Sequence, residues 1–254
     1  MHIKKTFISS FIIYSLLSGL LIYPVSAGGE SCNFKEQFDA LAEIQKNSLE
    51  NYSLQLRNEL ILRKEILEGV VNCAQNDIKN LKGNLSSIKT ENTEIKEIRD
   101  RFLQSTDEIT AHYEQEKSRI PDLGLYGTKE FSRNLKNWRE ANETPLIQKA
   151  TNFYIWTNNQ GLFETTGDRL QQISRTVSAL KLGDNEDIKA LFSKAGNSFH
   201  NAERINRDIK ELFKKNVSEE ETLTAIQSSL TSLAETYQTF FELSEAVHTF
   251  IPRP

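Results

Sequence analysis

The path of this chain hangs on Cys32 and Cys73, its only two cysteines. Were residues 33–73 one straight helix, the two would stand about 60 Å apart at roughly 1.5 Å per residue. A disulfide needs their Cα atoms within about 7 Å. Joining them within one chain therefore demands a reversal about halfway between, near residue 52. Phe34, Phe38, Leu41 and Ile44 form one apolar stripe; Leu49, Tyr52, Leu56, Leu60, Leu67 and Val70 form another, and the phase slips at Lys46-Asn47-Ser48. Such a slip marks either a stutter in a continuous helix or a turn. Polar Asn47, Ser48, Asn51 and Ser53 favour the turn, although no glycine or proline stands there. The alternative is one long helix whose thiols stay free or pair between chains.

A disulfide forms and persists in an oxidising compartment, and the N-terminus reads as an address for one. His2, Lys4 and Lys5 precede an apolar run from Phe7 to Tyr23, Pro24 breaks it, and Val25-Ser26-Ala27 supplies small residues at a cleavage site. These are the parts of a secretory signal peptide in their usual order. At about 17 residues the run sits at the lower limit for spanning a bilayer, so residues 1–27 are expected to be cleaved after Ala27 rather than kept as an anchor. The product is expected in the periplasm or outside the cell. Glu30 and Ser31 ahead of Cys32 do not suit a lipidated cysteine.

Cleavage removes two basic residues and no acidic one, taking the formal charge from −4 to −6. An acidic chain has no electrostatic reason to seek nucleic acid or an anionic membrane. No second long apolar run follows the first, so no membrane insertion is expected after cleavage.

The rest reads as helix. From Val71 a 3/4-spaced stripe runs through Ala74, Ile78, Leu81, Leu85, Ile88, Asn92, Ile95, Arg99, Phe102, Thr106, Ile109 and Tyr113, with ten of thirteen positions apolar. That regularity predicts a coiled-coil-like seam, with Asn92 as a register-fixing polar residue. Gly83 allows either a weak point in one helix or a turn. Pro121, Gly124 and Gly127 predict the first clear loop, holding Leu125 and Tyr126. Thr128 is expected to cap a helix to about Asn142, Thr144-Pro145 to start another ending near Gly161, and Gly183 to stop a third. Asp184-Asn185-Glu186-Asp187 and Ser218-Glu219-Glu220-Glu221 read as helix caps, the latter with acids on the positive helix end. A final stripe contains Leu223, Ile226, Leu230, Leu233, Tyr237, Phe240 and Val247. The expected architecture is all-α: an elongated antiparallel bundle or coiled-coil-like hairpin over 28–120, shorter helices over 121–217, and a C-terminal helix, 218–254, packing back on the N-terminal region.

Sites of chemistry are sparse. Glu108, His112 and Glu116 share a helical face, and Glu245 and His248 have the Glu-x-x-His spacing of di-iron bundles. A second Glu-x-x-His is missing, and glutamate-rich helices produce such triplets routinely. No haem-attachment motif, phosphate loop or nucleophile elbow occurs. Neither a metal, a cofactor nor catalysis is expected. Asn51, Asn84, Asn142 and Asn216 head Asn-x-Ser/Thr triplets at the frequency chance gives. Phe153-Tyr154-Ile155-Trp156, with Trp138 upstream, covers every face of a helix; it is either a helix buried all round or a partner-binding surface, joined there by Leu125 and Tyr126.

The expected role is that of an exported, non-enzymatic structural or interaction subunit of an envelope or surface assembly. Its partners would be other envelope or surface proteins, a second copy of the chain among them. A periplasmic ligand- or metal-binding bundle is the alternative. In layout (signal peptide, long helix, glycine-containing loop, short helices, returning helices) the chain also resembles the minor pilins of type IV secretion systems. That resemblance implies a component of such an apparatus and transfers no residue's role.

Overall fold

The computed structural model describes residues 32–46, 52–215 and 217–250. The signal segment and its cleavage site, the residues expected to turn at 47–51, and Asn216 lie outside them. Every regular element among the described residues is helical, so the all-α class holds. In order these are α1 (Lys35–Lys46), α2 (Tyr52–Ser86), α3 (Thr93–Arg119), a 3-10 turn (Ile120–Asp122), α4 (Leu125–Trp138), a π turn (Arg139–Glu143), α5 (Thr144–Asn158), α6 (Gln160–Ala179), α7 (Glu186–Lys214) and α8 (Glu219–His248). None of these helices is long and apolar enough to cross a membrane. The chain divides into two compact units, one ending at Thr151 and the next beginning at Asn152, so the boundary falls inside α5.

In the first unit α1 lies antiparallel on α2. Phe34 sits against Gly69 near one end, where a Cβ on that glycine would come within 2.5 Å of the ring. Near the other end the Gln55 side-chain amide donates to the Ile44 carbonyl at 2.6 Å. Helices α1 and α2 therefore run in opposite directions.

The stripe from Val71 is divided between two helices. Val71, Ala74, Ile78, Leu81 and Leu85 are buried along α2; Ile98, Thr106, Ile109 and Tyr113 are buried along α3. Ser86 ends α2 and a polar stretch follows, in which Ile88 is buried and the Ser87 hydroxyl donates to Asn84 O at 2.7 Å. Asn92 is not a seam residue. Its side-chain oxygen accepts from the Ile95 N–H at 3.2 Å and so caps α3. The two helices pack on each other, with Lys82 paired to Asp107 across them. Gly83 stays inside α2 and has nothing within 4 Å of a would-be Cβ. Gly83→Ala is accordingly expected to stabilise the protein by about 0.5–1 kcal/mol, read as a higher urea midpoint.

The expected loop at 120–127 is shorter than its glycines suggested. Leu123 N–H closes the 3-10 turn on Ile120 O, and α4 begins at Leu125 with Gly124 as its N-cap. Thr128, expected to cap, is instead buried one turn inside, its hydroxyl donating to Leu125 O at 2.8 Å. The core of this unit joins α2, α3, the 3-10 turn and α4 through residues such as Leu67, Val71, Ile78, Ile109, Ile120 and Phe131. No residue of α1 belongs to it.

In the second unit α6, α7 and α8 pack together. Asn185 caps α7 through Ile188 N–H at 3.0 Å, and Ser218 caps α8 through Glu221 N–H at 3.2 Å. Helix α6 ends before Gly183. Lys181 takes a left-handed backbone, φ 56°, and Leu182 N–H reaches back to Val177 O, a closure usually given to glycine. The face that α8 buries holds Ile226, Leu233, Phe240 and Leu243 together with Thr222, Ser229, Ser232, Thr236 and Thr239. Four of those hydroxyls donate to carbonyls three or four residues back in the same helix. Ser232 also accepts from the Asn201 side chain at 2.9 Å. Helices α6 and α7 pack on α8 within this unit.

Candidate functional site

Three places in the structure carry more than generic packing. The first is the arm formed by α1 and the start of α2. Cys32 and Cys73 are joined, with Cα atoms 6.1 Å apart, and no free cysteine remains. The expected intramolecular bond is therefore present. Helix α1 contributes no buried residue, and burial along α2 begins only at Ile66. A pair of helices leaves its outer faces uncovered, and on this arm Phe38 (53% exposed), Tyr52 (69%), Leu54 (47%) and Ile61 (45%) are open to solvent.

The second is a buried polar cluster in the first unit. Glu143 ends the π turn with 1% of its surface exposed; such single π turns are frequent at functional sites. The Tyr113 hydroxyl, fully buried on α3, donates to Glu143 Oε2 at 2.5 Å, and Arg139 Nε donates to the same oxygen at 2.5 Å. Glu143 Oε1 is buried without a hydrogen-bond partner among protein groups. Burial, then the Glu143 hydrogen bond and charge, hold the Tyr113 hydroxyl far above its ordinary value. For Arg139, burial works against the charged form, but Glu143 outweighs it and raises the guanidinium. A group whose folded pKa is raised stabilises the fold below its unfolded pKa and loses that contribution as pH climbs. Wild type is thus expected to lose stability from about pH 10 upward, and Tyr113→Phe to lose less over the same interval. Urea midpoints of both proteins at neutral and alkaline pH check this.

Beside this cluster the His112 ring stacks on Trp138 at 3.7 Å and 23°, and Trp138 meets Tyr113 edge-on at 5.5 Å. His112 is therefore spoken for. Its expected companions are also hydrogen-bonded: Glu108 accepts from Gln104 at 3.0 Å and Glu116 from Arg119 at 2.7 Å. Glu245 and His248 are both exposed near the end of α8. Among the described residues the group with ligand atoms close enough for a metal is Cys32, Cys73 and Asp77, whose two sulfurs are committed to their mutual bond.

The third is the aromatic run. Phe153 (0% exposed) and Trp156 (3%) are buried, packing on Phe213 at 5.3 and 5.5 Å between ring centres. The Trp156 indole N–H donates to Asn206 Oδ1 at 2.7 Å, and Asn206 and Gln160 exchange side-chain amide bonds. In this structure both aromatics are core. Tyr154 and Trp138 are half-buried. Of the six partner-binding candidates, Leu125 is half-buried at the head of α4 and only Tyr126, 77% exposed beside it, stands fully open.

Sequence reasoning passed over Glu143, Arg139 and Asn206. Arg139 and Glu143 did offer a signal, an i,i+4 pair of opposite charge, though such pairs are ordinary on solvated helices. An open recess at the head of α8, lined by Ser218, Glu220, Glu221, Thr224 and Ala225, has its cap already satisfied. Set beside known protein families, curated proteins and solved structures, the chain matches none of them.

Proposed function

We propose that this chain is an exported, non-enzymatic helical protein serving as a structural or interaction subunit of an envelope or surface assembly, and that the α1–α2 arm meets its partner. The observation that carries the reading is the concentration of Phe38, Tyr52, Leu54 and Ile61 on one two-helix arm whose helices bury nothing before Ile66. Single exposed apolar side chains are ordinary on any protein; several large ones gathered on one thin element are typical of contact surfaces. The signal-peptide pattern and the Cys32–Cys73 bond agree with export.

The test uses a photo-crosslinking residue at Phe38 or Leu54 in the cells that make the protein, with exposed Lys194 on α7 as the control position. The reading expects a discrete crosslinked species from the arm and none from Lys194, on protein whose N-terminus begins after Ala27. Uncleaved protein retained inside the cell would remove the export half of the proposal. Equal labelling at all three positions would remove the arm.

A further inference from the structure

Helix α1 is attached to the rest of its unit in an unusually thin way. None of its twelve residues is buried, and none joins the core that α2, α3 and α4 build. Among the contacts that hold it are the Phe34 ring against Gly69, the Gln55 amide on Ile44 O and the Gln45 amide on Glu59 at 2.9 Å, with Leu41 and Ile44 half-buried. A helix of this length is marginal by itself in water. What closes the hairpin at its open end is the Cys32–Cys73 bond, and Cys32 is exposed.

We propose that the disulfide is a redox-released latch and α1 a strap: a dithiol reductant frees α1 from α2 while the core beneath stays folded. A thiolate of the dithiol attacks Cys32 Sγ, the Sγ–Sγ bond breaks, and Cys73 leaves as thiolate. The second thiol of the reductant then displaces the mixed disulfide. Two electrons and two protons end on Cys32 and Cys73, and the reductant becomes a disulfide. Release uncovers the α2 face that carries Gly69. The strap is argued from contacts on this chain alone and stands whether or not the arm binds a partner.

Hydrogen exchange on the full mature chain, oxidised and then reduced with dithiothreitol under native conditions, tests it. Amides of residues 39–46 are expected to exchange at least about tenfold faster after reduction, while those of 97–118 in α3 stay within about twofold. Cys32→Ser without reductant should reproduce the reduced pattern. If residues 39–46 keep their protection after reduction, the side-chain contacts hold α1 and the latch is wrong. If α3 loses protection as well, the bond supports the core and α1 is no strap.

Discussion

Trp156→Ala is expected to cost the second unit about 4 kcal/mol, the usual range for emptying a buried tryptophan site. The side chain is 3% exposed, its ring packs with Phe153 and Phe213, and its N–H is held by Asn206. Truncation leaves a void among those rings and takes a donor from Asn206 Oδ1, which is left with the longer Gln160 contact at 3.2 Å. A loss of that size lowers the melting temperature of a unit this small by roughly 15–30 °C. Circular dichroism melts read it directly. A variant that melts within about 3 °C of wild type would mean the cluster is not core, and the partner-surface reading of Phe153 and Trp156 would return.

Glu143→Ala is expected to cost about 3 kcal/mol in the first unit. Much of that is the Tyr113 hydroxyl, left fully buried without an acceptor, a deficit of about 1–3 kcal/mol. The remainder is lost packing and an unpaired Arg139, which is 36% exposed at its side chain and can turn partly to water. Glu143→Gln keeps an acceptor for Tyr113 and gives up only the charge, so its cost should be about half as large. Urea midpoints order the three proteins as wild type, Gln, Ala. If Gln costs as much as Ala, the Arg139 ion pair carries the site; if neither costs anything, the π turn holds itself.

Helix identity was legible in this sequence because it rests on period alone. Val71, Ala74, Ile78, Leu81 and Leu85 are buried as their spacing predicts, and Asn185 and Ser218 cap the helices they precede. The turn after Ser86 was hidden for a physical reason: apolar spacing stays in phase across it, so α2 and α3 look continuous. Asn92-Thr93-Glu94 was the signal, a cap misread as a seam. On α8 the hydropathy pattern captured only three of the nine buried residues, Ile226, Leu233 and Phe240. Thr236 and Thr239 are fully buried because their hydroxyls are satisfied inside their own helix, and Leu223, an expected stripe member, is 38% exposed. Which stripe covers which is a matter of shape rather than period, and the pairing of α8 with α7 was not readable. Glu143 was equally hidden, since a π turn follows no residue pattern that distinguishes it from ordinary helix. The disulfide was the exception: the spacing of the two cysteines was enough to call for antiparallel helices, and α1 and α2 run that way.

The sulfur inventory of the chain has a chemical consequence. Both thiols are spent on one bond, and the single methionine is the first residue, outside the segment expected to survive export. Peroxide and related mild oxidants act on thiolates and thioethers, and the described residues offer them neither. Oxidants of that kind therefore find no reduced sulfur among the described residues. The latch we propose responds in the opposite direction, to electron donors, at the bond between Cys32 and Cys73.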